Sequence, residues 1–342
     1  VDQDFENAVT AVALETRFSE SGNGKLVLSF TEDNIRQVQS PDFVRSERLS
    51  LDWQYSHAFE NHTLTAGLFA ADEDAASESF GTGFNENTAV RAVFLQDQLS
   101  VGPHKTLLAV RLTDHESFGN HVTWNAEYAV DITDELTLNA GLGHAFRAPD
   151  ASDRFGFGGT PDLEPEVADE QQLGLRFTPS SRHSFDSELY ANDIEDLIEF
   201  DFESFTLQNL DRVRIRGAQF GYEYRSDNFS LRASVVRQQA ENATTGKRLL
   251  RRAEQSATIS LTQTIGLHRL GLAILASGDR KDFGGVHLPG YVTANLTGQL
   301  QLGDRWRLNA RIENLADTVY QTAANYRMQE RSGFVELNYR WK

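Results

Sequence analysis

The chain has 342 residues, is 39% hydrophobic and has a mean hydropathy of -0.45. Nothing in it approaches the run of about 18 apolar residues that a membrane-spanning helix needs. It has no cysteine, which excludes a disulfide scaffold, a cysteine zinc site and a thiol nucleophile. Its net charge of -18 argues against a nucleic-acid partner, because phosphate neutralisation needs basic patches.

From the first residues onward the chain alternates apolar and polar positions in runs of about ten, each closed by a turn. Val1–Asn7 read as neither a signal peptide nor an initiator start, so the sequence is expected to begin after its true origin. Short polar turns are expected near 21–24, 60–62, 102–104, 133–135, 178–182, 226–228, 265–268 and 303–305. Between them fall longer connections at about 34–46, 72–87, 114–121, 148–168, 200–211, 240–252, 278–288 and 321–331. Trp124, Ala126, Tyr128, Val130 and Ile132 share one face, against Thr123, Asn125, Glu127, Ala129 and Asp131 on the other. The stretches 292–302, 305–313 and 334–341 repeat the pattern, the last ending at Trp341 and Lys342.

About seventeen such strands, with short turns on one rim and long loops on the other, predict a transmembrane antiparallel β-barrel. The whole of 1–342 reads as one barrel domain with no linker. Its short turns face the periplasm, and its first strand runs down from the outside. Closed bacterial barrels usually have an even strand count, so strands are expected to precede residue 1. Arg91, Arg111, Arg176, Arg307, Arg311 and Arg340 are expected to face the lumen opposite acidic residues.

Four segments carry more than a barrel pattern. GHAFRAPDASDRFGFGGTPDLEPEVADEQQLGLRF, starting at Gly143, joins a Phe146-Arg147-Ala148-Pro149 turn to a Pro161-Asp162-Leu163-Glu164-Pro165-Glu166 return. LYANDIEDLIEF (189–200) precedes LQNLDRVRIRGAQFGYEY (207–224), and LLRRAEQSATISL (249–261) and IENLADTVYQT (312–322) follow. Together they resemble TonB-dependent outer-membrane receptors over roughly residues 85–342. Thr160, Gln219 and Ala316 depart from the family pattern. The resemblance implies a plugged barrel of about 22 strands, of which this chain would be about the last seventeen, without the plug. It also implies a monomer in the bacterial outer membrane, a TonB contact through the missing N-terminal region, and surrounding lipid and lipopolysaccharide. LLRRAEQ, NDIEDLIEF and SFGNHVTW (117–124) are most similar to the family's cobalamin (vitamin B12) receptors, with a ferric siderophore as the alternative nutrient. A passive outer-membrane porin is the reading from another class.

No catalytic constellation is legible: there is no nucleophile elbow, P-loop or EF-hand. GFGGT (156–160) lacks a following helix and reads as flexible loop, and His115 and His121 flank one loop as solvated histidines. Asp72, Glu73, Asp74, Glu78 and Glu86 form an acidic stretch that is a candidate for Ca²⁺, against a solvated acidic loop. The ligand-facing candidates are the loop aromatics and cations Phe80, Phe84, Phe155, Phe157, Arg280, Phe283, Tyr326 and Arg327. A large, partly apolar ligand needs stacking surfaces with a few donors. Loop self-packing and contact with lipopolysaccharide are the alternative uses of the same side chains.

Overall fold

The alternation folds as it reads. The computed structural model describes residues 2–341, most of them in seventeen long strands; Val1 and Lys342 lie outside the described residues. The strands are β1 (Gln3–Arg17), β2 (Gly22–Gln37), β3 (Phe43–Phe59), β4 (His62–Ser79), β5 (Thr82–Val101), β6 (His104–His115) and β7 (Gly119–Thr133). There follow β8 (Leu136–Arg147), β9 (Glu166–Ser180), β10 (His183–Asp201), β11 (Thr206–Arg225), β12 (Phe229–Asn242), β13 (Gln255–Ile265) and β14 (His268–Ser277). The last three are Tyr291–Leu302, Trp306–Glu313 and Ser332–Tyr339. One α-helix, α1 (Ala151–Phe155), interrupts them.

The chain divides into two compact units. The first takes in residues up to Val130, Ala140–Gln171 and Asn192–Val213. Here β1 to β7 pair in sequence, antiparallel, with unbroken register. Unbroken register fixes which side chains share a face over the full strand length. Trp53, Leu68, Val93, Leu112 and Val122 form one row across β3–β7, and each is at least 38% exposed. Gln54, Gly67, Phe94, Arg111 and Thr123 form the neighbouring row on the opposite face. Leaving large apolar side chains in water forfeits about 1.5–3 kcal/mol each. A face built of them is made for lipid.

The apolar face has two polar borders. Toward the short turns lies a line of rings: Phe18 on Tyr55, Phe59 stacked on His62, and His104 on Tyr128. Amphipathic rings belong at a membrane–water boundary. Toward the long loops the face ends at Arg91, paired across the ladder with Asp114. Arg91 therefore does not face the lumen as expected, because it shares parity with Val93 and Leu95. Its charge marks the outer edge of the apolar band.

The second unit takes in Asp131–Asn139, Gln172–Ala191 and the residues from Arg214 onward. Its ladders run from β12 through β13 and β14 to the three closing strands. Leu300, Leu308 and Leu337 share one row, and Gly298, Ala310 and Val335 the next. Arg307 and Arg311 lie on the opposite, polar face as expected. The ring line recurs near the short turns: Phe185 on Tyr222, and Trp306 on Tyr339, which meets Trp341 edge-on.

The structure departs from the sequence reading at 72–87. That stretch is not a loop: β4 and β5 stay paired up to Ser79 and Thr82. Hydropathy alternation fades there because both faces meet water, yet backbone pairing needs no apolar side chain. The turn is Phe80-Gly81, with φ of 51° and 81°. Two-residue hairpins of this kind favour Asn-Gly, so a phenylalanine in the left-handed region is unusual.

Candidate functional site

In the first unit, the motifs singled out in the sequence converge on one network. Arg147 Nη1 donates to Glu166 Oε1 at 2.9 Å and Nη2 to Asp153 Oδ2 at 3.1 Å. Glu166 Oε1 also accepts from the Ile198 amide at 2.8 Å. Asn209 Nδ2 donates to the carbonyls of Glu164 (2.9 Å) and Asp196 (2.7 Å), while its Oδ1 accepts from the Glu164 amide. Within this unit, the stretches 146–149, 161–166, 192–200 and 207–213 are thus tied together by side chains that pair with one another or with backbone. Their role is to fix loops.

The segment 148–165 is held in the same way. Asp150 caps α1 by accepting from the Asp153 amide at 2.7 Å, and Asp153 reaches back to the Asp150 amide. This is a reciprocal capping box with Asp in the third position. Burial and the Asp150 charge push the Asp153 carboxyl up, against the pull of the Asp150 cap and Arg147. Thr160 donates to the Leu207 carbonyl and the Leu207 amide to Gly158, docking the glycine run on β11.

On this fixed base stand aromatic rings. Phe157 lies 5.0 Å from Phe80 and 5.9 Å from Phe205, and Phe205 meets Phe200 edge-on at 5.1 Å. Phe80, Phe157 and Phe205 are 74%, 47% and 54% exposed. Phe205 has φ of 63°, so two of the three converging rings sit on left-handed residues. Such strain persists where the surroundings over-determine it, often at functional sites. Phe155 stands apart from this cluster, beneath the Arg154 guanidinium at 4.6 Å. It lines a cavity of about 160 Å³ with Arg48, Glu73, His115 and Arg154. Phe84 lines a separate, larger cavity on β2–β5.

In the second unit the expected residues serve unequal roles. Arg280 is buried, 5.4 Å over Tyr291 and bonded to Ser277 Oγ at 2.6 Å, so it packs a loop base. Phe283 and Tyr326 are exposed, as is Arg327, which is paired to Gln321 in a short ladder. Between them sits Asp282, fully buried, accepting from Arg251 Nε at 2.8 Å and from the amides of Phe283 and Ala324. Burial alone would raise its carboxyl, but those amides and Arg251 outweigh it and hold it below the usual range. Asn314, from the fourth motif, donates to the carbonyls of Thr318 and Gln329 and accepts from the Thr318 amide.

Strand pairing divides the acidic stretch. Asp72, Asp74 and Glu78 lie on one face, Glu73 and Glu86 on the other. Among the described residues, no group of three or more His, Cys, Asp or Glu is placed to hold a metal ion. His121 stacks on Phe146 at 3.6 Å, and His115 accepts from the Ser117 amide. Sequence reasoning passed over Phe205, Asn209 and Asp282. The Asp-x-x-Asp spacing of 150–153 could have signalled the cap; Asp282 accepts from its neighbour Phe283, but nothing local signals its other partners, 31 and 42 residues away.

The model of the family described as TonB dependent receptor-like, beta-barrel, matches residues 4–315. The chain belongs to that family. Its receptor-barrel sequence is 28% identical over 246 residues to the vitamin B12 transporter BtuB of Vibrio vulnificus, covering 68% of this chain and 40% of that protein. It is 24% identical over 356 residues to BtuB of Photobacterium profundum, covering 98% and 58%. The chain spans about half the length of these relatives. Among solved structures, the ferric enterobactin receptor PfeA from Pseudomonas aeruginosa superposes with a TM-score of 0.84 at 14% identity, covering 98% of this chain and 62% of that one. The copper transporter OprC gives 0.80 at 16% identity, covering 98% and 65%. At such identities the likeness is one of fold, and the fold is the receptor barrel.

Proposed function

We propose that the protein containing this barrel takes up cobalamin across a bacterial outer membrane, driven through TonB. The observation that carries the reading is the sequence relationship to two vitamin B12 transporters, one of them over nearly the whole chain. The exposed apolar face with its ring borders supports placement in a membrane, with the long loops outside. The exposed rings of Phe80, Phe157 and Phe205 supply stacking area for a large ligand with apolar edges. No residue is asked to make or break a bond; the loops select and the barrel admits.

The test is equilibrium binding of labelled cyanocobalamin to outer membranes from cells expressing the full-length protein, with and without excess ferric siderophore. Saturable binding that siderophore does not compete, with uptake that requires TonB, supports the reading. Displacement by the siderophore would replace cobalamin with an iron chelate. Ligand-independent leakage of small solutes would point to a porin.

A further inference from the structure

The upper ends of β2–β5 carry a cavity of about 990 Å³ that none of the loop-fixing networks uses. Register assigns its main walls to one face. Arg36, Phe43, Glu78 and Gly83 form one row, and Asn34, Arg45, Ala76 and Asn85 the next. Because no register shift intervenes, this face is the one that carries Leu51, Trp53, Leu68 and Val93 further down. The cavity therefore opens on the side of the apolar band and not on the opposite, polar face. Arg45 stands six residues above Leu51, about 20 Å along the strand. At that height a membrane protein meets sugar headgroups, not acyl chains.

The lining suits a sugar. Asn34 is only 8% exposed, and its Oδ1 has no hydrogen-bond partner. A buried acceptor left bare is costly, and a hydroxyl donor would satisfy it. The Arg36 guanidinium has no ion-pair or hydrogen-bond partner among the described residues. Asn85 and Arg45 add donors, Glu78 an acceptor, and the half-buried Phe43 ring a flat apolar patch. Planar polar groups of both kinds beside a ring match the alternating O–H and C–H surfaces of a saccharide.

Charge decides against a phosphate. Arg36 and Arg45 are balanced within the lining by Asp42 and Glu78. Asp4 and Glu6 of β1 stand opposite Arg36 and Asn34, and the row beneath is Glu32, Glu47 and Asp74. An anionic group approaching along this face meets more carboxylates than guanidiniums.

We propose that the cavity holds an uncharged sugar residue of the glycolipid in the surrounding outer leaflet, which anchors the β4–β5 hairpin from outside the barrel. This rests on the membrane placement argued under the proposed function, but not on the nutrient. The experiment is calorimetric titration of the full-length protein, purified in detergent and stripped of lipid, with the dephosphorylated core oligosaccharide released from lipopolysaccharide. Saturable binding is expected, indifferent to salt between about 50 and 300 mM because no ion pair forms. The variant Arg36→Ala/Asn85→Ala should weaken it roughly tenfold, the loss of one or two hydrogen bonds, with heat-modifiable migration and cyanocobalamin binding unchanged. No binding of the oligosaccharide, binding that collapses with salt, or binding indifferent to the two substitutions would each overturn the proposal. Absence of cyanocobalamin binding in the same preparation counts against the transport reading alone.

Discussion

Arg147 and Glu166 close a ring between two motifs: the last residue of β8 and the first of β9 are joined at 2.9 Å over the intervening loop. The same carboxylate oxygen takes the Ile198 amide. With its side chain 13% exposed, Glu166 is the shielded member of the pair; Arg147 is 53% exposed. The hydrogen bond to the Ile198 amide, not the ion pair by itself, carries most of the worth of this node.

Glu166→Ala should accordingly loosen the 148–165 segment more than Arg147→Ala does. It leaves the half-buried Ile198 amide without its acceptor, at a cost of about 1–3 kcal/mol, while the exposed guanidinium keeps Asp153. Amide hydrogen exchange over 148–165 and 196–200 measures this. Equal protection in the two variants would show that the ion pair, and not the amide bond, holds the loop.

Phe80→Asn should raise stability and lower ligand affinity together. Asn fits the left-handed first position of a two-residue hairpin, relieving strain of about 1 kcal/mol. The same change removes the ring that meets Phe157. Thermal unfolding and cyanocobalamin binding on one preparation read both effects. A variant that gains stability and keeps full affinity would remove Phe80 from the ligand-facing set.

Phe157→Ala and Phe205→Ala should weaken nutrient binding more than Arg280→Ala weakens it. The first two remove exposed rings, whereas Arg280 is buried against Tyr291 and Ser277. Arg280→Ala should instead lower the unfolding temperature, since it empties a packed position. Dissociation constants and melting temperatures of the three variants separate the two effects.

Asp282 predicts an acid limit for three loops. Its carboxyl is held below its ordinary value, so its contribution is complete above the unfolded-state value near ~3.9. That contribution is lost as pH falls through the still lower folded value. The loops around Arg251, Phe283 and Ala324 should therefore stay protected from protease at about pH 5 and open only in stronger acid. Asp282→Ala should expose all three at neutral pH, with a local cost on the order of 2–3 kcal/mol. Cleavage confined to one loop would mean that the three are held separately.

The strands were legible because alternation is written into each of them, and the faces assigned to 124–132 and 292–302 match the observed parity. Alternation failed at 72–87, where both faces are polar and only backbone pairing records the strand. At Arg91 the alternation is right and the charge misleads: Val93 and Leu95 share its parity and put it on the apolar side. Of the rings singled out, Phe80, Phe157, Phe283 and Tyr326 are exposed. The partners of the residues that organise them were hidden for a physical reason, even where the residue, as with Glu166, lay in a motif. Asn209, Glu166 and Asp282 act on backbone groups distant in the chain, and a one-dimensional pattern holds no trace of such partners.

The unbroken pairing of β4 with β5 restricts how this hairpin can change over evolutionary time. One residue added to one arm would invert every side chain beyond it, turning the Asn85 and Phe84 faces over. Length can therefore change only in matched steps on both arms, at the Phe80-Gly81 tip, or through a bulge that absorbs the extra residue. Homologous hairpins that keep the two-residue tip and carry no bulge should differ here by even numbers of residues, as if cut from a ruled tape.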